Sequence, residues 1–112
     1  MADAALKASH FYILLALSVE DRHGLAIARD VQALSDGRVR LWPATLYGSL
    51  EELRDRRWIE ELSEHPADES ERRRYYRLTR AGRHALAAEA EHMSHVARLA
   101  RSRVRPRSGE AR

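Results

Sequence analysis

The chain has no cysteine. That excludes a disulfide framework, a thiolate nucleophile and a cysteine-based zinc site. Lys7 is its only lysine, so nearly all its basic charge is arginine. Arginine makes bidentate contacts with phosphate, although a GC-rich genome produces the same bias. Aromatic residues make up only 6% of the chain, which leaves little for an aromatic-lined pocket. Residues 1–7 lack the basic region that opens a signal peptide. The apolar run from Phe11 to Leu17 is far too short to span a bilayer. A cytoplasmic protein with no membrane partner is the expectation. No G-x-S-x-G, P-loop or dinucleotide fingerprint is present. The adjacent pairs Glu51-Glu52 and Glu60-Glu61 diverge on a helix or strand and make no carboxylate dyad. His92 and His95 stand three apart but have no acidic partner to complete a metal shell. No enzyme activity, metal or cofactor is expected.

What is present is a folded, helix-rich composition, with 44% apolar and 33% charged residues over 112 positions. That length makes one small domain with an appended helix. A chain so short buries a modest core, and oligomerisation is a common way to add to it. The formal charge is only +3, but it is unevenly spread. Residues 58–71 carry six acids and no Lys or Arg, whereas residues 72–85 carry six arginines and no acid. Such blocks suit a surface that meets phosphate, and equally a solvated face of salt-bridged arginines.

The spacing predicts a first helix from about Leu6 to Ser18, with Leu6, His10, Ile13, Leu14 and Leu17 on one stripe. Tyr12 and Leu15 lie off that stripe and suggest a second buried face, against a partner subunit. A second helix runs from His23 or Gly24 to Leu34 and stops at Ser35-Asp36-Gly37. Arg38-Val39-Arg40-Leu41 alternates as a very short strand would. A third helix opens at Pro43, whose missing N–H costs nothing in a first turn. Leu46, Leu50 and Leu53 point inward along it. Two strands, 58–63 and 73–78, flank a polar loop and read as a β-hairpin. One of Tyr75 and Tyr76 should face inward and the other outward, by alternation. Thr79 caps a last helix to about Arg103. Along it Leu86, Ala90, Met93, Ala97, Ala100 and Val104 form a heptad seam. The seam either covers the chain's own core or pairs with a second copy; a dimer helix is the expectation.

Three helices closed by a hairpin make a mainly α fold, a winged helix-turn-helix plus a C-terminal dimerisation helix. The expected boundaries are 6–80 for the DNA-binding domain, 81–105 for the dimerisation helix and 106–112 for a disordered tail. The second helix of a helix-turn-helix sets its leading residues against base edges. Thr45 and Ser49 can hydrogen-bond bases or phosphates, Gly48 allows close approach, and the Tyr47 hydroxyl can reach a phosphate. Arg73 and Arg74 on the hairpin can reach the backbone or a minor groove. Blander roles exist for Thr45, as a cap, and Tyr47, as a core residue with its hydroxyl at the rim.

The stretches Val39–Leu50, with Pro43-Ala44-Thr45-Leu46-Tyr47 at their centre, and Arg73–Gly82, with Tyr75-Tyr76-Arg77-Leu78-Thr79, carry a specific likeness. Joined by Ile13–Leu17 and His23–Ile27, they resemble the PadR-like family of bacterial winged-helix transcriptional regulators over about residues 11–88. The resemblance implies a homodimeric repressor on a palindromic operator, double-stranded DNA, released by a small aromatic effector. It places Thr45, Tyr47, Gly48 and Ser49 on the recognition helix and Arg73, Arg74 and Tyr75 on the wing. It implies dimerisation through the first and last helices, hence Tyr12, Leu15, Leu86, Ala90, Met93, Ala97 and Ala100. Trp42 departs from the family, which has a capping Ser there; its ring could seat on the wing or on a DNA sugar. The alternative function is a winged-helix protein-interaction module that does not bind DNA. It would be favoured if Glu51, Glu52 and Asp55 faced the phosphates.

Overall fold

The computed structural model describes residues 6–62 and 74–106. In chain order they form α1 (Ala8–Ala16), β1 (Arg22–His23), α2 (Gly24–Leu34), α3 (Pro43–Asp55), β2 (Ile59–Leu62), β3 (Tyr75–Leu78) and α4 (Arg80–Val104). The first three helices close around one core, built from Ile13, Leu14, Leu17, Ile27, Val31, Leu46, Leu50 and Leu53. Each comes from a stripe at helical spacing. Burying one such Leu or Ile contributes roughly 1.5–3 kcal/mol.

Ile59, Tyr76 and Leu78 add the sheet's contribution to that core. The sheet is antiparallel, with β3 between β1 and β2. Ile59 stands opposite Leu78, and Glu60 opposite Arg77. Alternation therefore sends Tyr76 and Leu78 inward and Tyr75 and Arg77 outward. On the outer side Arg77 donates to Glu60 at 3.2 Å and lies 3.9 Å from Asp21.

One element differs from expectation. Residues 38–41 form no strand, and the third strand lies before α2 instead, at Arg22–His23. Their alternation has another cause. Ser35 Oγ accepts the Val39 N–H at 2.9 Å and turns the chain, while Val39 and Leu41 pack against the core without a ladder partner. The free edge of β3 is taken by β1, whose Arg22 is anchored by a 2.8 Å bond from Nε to the Ala16 carbonyl.

The helix ends are closed by local bonds. His23 caps α2, its Nδ1 accepting the Ala26 N–H at 3.2 Å. At the other end Gly37 N–H reaches the Gln32 carbonyl at 2.7 Å, with Asp36 (φ 55°) and Gly37 (φ 79°) both left-handed. α3 stops the same way: Trp58 N–H bonds Leu53 O, with Arg57 left-handed at φ 63°. The left-handed residue is what lets the following N–H fold back onto the last turn.

Thr79 then fixes α4. Its Oγ1 accepts the Gly82 N–H at 3.0 Å and donates to the Arg57 carbonyl at 2.7 Å. Its own N–H bonds the Trp58 carbonyl at 3.0 Å. Gly82 is buried in this corner, and a Cβ there would collide with the Trp58 carbonyl. α4 is 25 residues long, so roughly 37 Å at 1.5 Å per residue. Its first turns pack on α1, and Leu86 lies partly against the core. Beyond them Met93, Val96, Leu99 and Val104 are all at least 41% exposed. No described helix is long and apolar enough to cross a membrane. All of the expected tail (106–112) but Pro106, and residues 63–73 of the hairpin, lie outside the described residues.

Candidate nucleic-acid interface

α3 presents two different ends. Its leading end follows a stretch, residues 37–50, with two arginines and no acid. Thr45, Tyr47 and Gly48 are exposed there, and nothing lies within 4 Å of where a Gly48 Cβ would stand. Ser49 departs from expectation: it is 7% exposed and faces the core. The cause is spacing. Leu46, Ser49, Leu50 and Leu53 share one inward stripe, so Ser49 has no route to a groove.

Tyr47 is 47% exposed, with its ring edge seated on Gly24 at the start of α2. A Cβ at Gly24 would come within 2.8 Å of the Tyr47 hydroxyl. Gly24 is therefore a seat for the aromatic ring, a role not expected from the sequence. Next to that seat, the His23 ring meets Tyr75 edge-on, with centroids 5.4 Å apart. The structure thus brings α3, the α2 start and β3 together at one edge.

Arg74 is exposed at the start of β3, its Nε 3.6 Å from Glu61. Glu61 also holds Arg54 at 3.3 Å. Burial pushes the Tyr76 hydroxyl above its usual range; Glu61 adds to this, and the Arg74 hydrogen bond opposes it. Tyr76 is the inward tyrosine and Tyr75 is half-buried on the other face. Arg73 lies outside the described residues.

The trailing end of α3 carries the acids. Glu52 is turned towards α1, with its Oε1 2.9 Å from His10 Nε2 and 3.8 Å from Lys7 Nζ. That contact engages Glu52, one of the three acids of this half of the helix, with α1 and the residue before it. His10 is buried, and burial lowers its pKa below 6.5 against the raising effect of Glu52. Lys7 and Arg56 lower it further. This short approach spans α1 and α3, although its angle is not that of a hydrogen bond.

Trp42 precedes Pro43 at the N-cap of α3 and makes no side-chain cap bond. The residue is 64% exposed. The Arg40 guanidinium lies 5.8 Å from the ring centroid.

The expected dimer residues divide into two groups. Tyr12, edge-on to Phe11 at 5.7 Å, and Leu15 are half-buried on α1. Leu86 is half-buried against the chain's own core, because it lies in the turns of α4 that pack on α1. Ala90, Met93 and Ala100 are exposed on α4, and Ala97 is partly so. No three His, Asp or Glu side chains converge as a metal site among the described residues.

Comparison with known proteins agrees with this geometry. The model of the transcriptional regulator PadR-like family matches residues 13–88. A PadR family transcription regulator from Clostridium difficile superposes with a TM-score of 0.75 at 20% identity, covering 88% of this chain and all of that one (100%). RosR of H. salinarum gives 0.64 at 28% identity over 79% of this chain and 74% of its own. BpsR of Bordetella bronchiseptica, whose DNA binding is regulated by 6-hydroxynicotinic acid, gives 0.61 at 24% identity over 91% and 67%. No curated protein sequence matches. The family match spans most of the chain, including α3 and both hairpin strands, and the chain belongs to the PadR-like family, whose members are transcriptional regulators that bind DNA and not enzymes.

Proposed function

We propose that the chain acts in the cytoplasm as a homodimeric repressor on a palindromic operator. Thr45, Tyr47 and Gly48 would enter the groove, with Arg73, Arg74 and Tyr75 of the hairpin against the backbone. Ser49 is left out because it is buried. The observation that carries this reading is the leading end of α3: exposed, acid-free and beside the hairpin strand. A second copy would cover Tyr12 and Leu15 on α1 and Ala90, Met93, Ala97 and Ala100 on α4. Support for that comes from apolar side chains left in water along two turns and more of α4. A small aromatic effector would bind near the Phe11–Tyr12 pair of that interface. The precedent is the regulation of BpsR by 6-hydroxynicotinic acid.

The test is binding to the DNA upstream of its own gene at two salt concentrations, against a scrambled duplex. Selective, salt-dependent binding by two protomers per site is expected. Absence of binding even at low salt would overturn the reading in favour of a protein-interaction module.

A further inference from the structure

We propose that Trp42 and Arg40 form a clamp on the sugar–phosphate backbone of one DNA strand. The Trp42 ring lies flat on a deoxyribose and the Arg40 guanidinium takes the adjoining phosphate. The clamp rests on the DNA-binding reading above and adds a contact to it.

Three observations converge. The first is the cost of Trp42 in the free protein. An indole 64% exposed leaves a large apolar face in water, at a position where it gives α3 no side-chain cap. The second is the company it keeps. Arg40 sits over the ring, and a cation above an aromatic face is held by the ring's quadrupole. The pair is thus a preformed unit, a flat apolar plate beside a guanidinium.

The third is charge. Arg22, Arg54, Arg74 and Arg77 each lie within ion-pair distance of a carboxylate. Among the described residues no carboxylate pairs with Arg38 or Arg40, and residues 37–50 hold no acid. The stretch leading into α3 thus carries two arginines with no acid of its own to offset them, beside an indole more exposed than Trp58, the other tryptophan with an arginine over its ring. An apolar plate beside an uncompensated cation matches the alternation of sugar and phosphate along a strand. A protein partner would instead present a carboxylate and an apolar side chain in some other spacing; DNA presents sugar and phosphate at every nucleotide. Such a contact positions the protein and carries no base information.

The experiment is fluorescence anisotropy of the full chain on a labelled duplex from upstream of its own gene, and on a scrambled duplex. Trp42→Ala should weaken both by about ten-fold and by the same factor. Arg40→Ala should weaken both and reduce the slope of log K on log salt by about 0.9, one phosphate contact. Trp42→Ser supplies the second readout. It restores a hydroxyl cap to α3, so its Tm should rise while its DNA affinity falls. A residue that only shaped the helix would move both in the same direction. Wild-type affinity in Trp42→Ala, a change confined to one duplex, or a raised Tm with unaltered affinity in Trp42→Ser would each overturn the clamp. If the wild-type chain binds neither duplex, the DNA-binding reading fails first. If it binds and the Trp42 variants do not differ from it, the clamp alone fails.

Discussion

The head and the far half of α4 treat apolar side chains in opposite ways. In the head, formed by α1–α3 and the sheet, Ile13, Leu14, Ile27, Val31 and Leu53 are wholly enclosed, and side-chain caps open α2 and α4, though not α1 or α3. Along α4 beyond the α1 contact, Met93, Val96 and Leu99 stand in water at regular helical spacing. The same chemistry is finished in one region and left open in the other. Stability therefore resides in the head, and the helix carries a surface whose burial needs something outside the chain.

The largest expected effect breaks the joint between the two regions. Gly82→Val places branched carbon against the Trp58 carbonyl and Leu78, and should cost several kcal/mol, of order 3–5. Denaturant melting of the variant should show it, with head and helix disrupted together. The next prediction sharpens the contrast by making one truncation in each region. Leu53→Ala should cost about 2–5 kcal/mol at any protein concentration, as a cavity in a closed core does. Leu99→Ala should leave the head's unfolding midpoint within about 0.5 kcal/mol of wild type when dilute. Its effect should be on self-association alone, read by sedimentation. Equal losses in both variants at high dilution would show that the helix is part of the head's core after all.

A smaller effect concerns the buried contact from α1 to α3. The folded state holds His10 below 6.5, so the unfolded chain binds more protons just beneath that value. Stability should then fall as pH drops below 6.5 and be fully present above it. His10→Gln keeps a donor near Glu52 but cannot titrate, so its urea midpoint should lose less than wild type between pH ~7.5 and ~5.5. An equal loss in both would show that His10 is not the source of the pH dependence. The smallest effect is at the end of α3. Arg57 is left-handed, which suits glycine better, so Arg57→Gly should shift stability upward by no more than about 1 kcal/mol in thermal melts.

Much of the head was legible in its sequence, for physical reasons. Pro43 marks a helix start unambiguously, and Leu46, Leu50 and Leu53 leave one orientation for α3. Thr79 has both the cap chemistry and the position before a long amphipathic run. Two residues are too few to show a period, so β1 could not be seen at Arg22–His23. The alternation at 38–41 is real but serves packing, and a four-residue pattern cannot distinguish a strand from a coil pressed on a core. Ser49 misled because its hydroxyl suggested a contact while its spacing with Leu46 and Leu53 had already placed it inside. The Gly24 seat for Tyr47 joins residues far apart in sequence, and no local signal announces such a meeting.

The Thr79–Gly82 corner has a mechanical meaning. Thr79 clasps the turn before the sheet on one side and the first turn of α4 on the other, and Gly82 leaves no slack between them. Head and shaft therefore turn as one rigid piece, with no hinge at the point where they join. If two shafts lie side by side, their crossing angle works as a caliper. A shift of register or tilt far out along the shafts would open or close the gap between the two heads, and with it the distance between the half-sites they can grip at once.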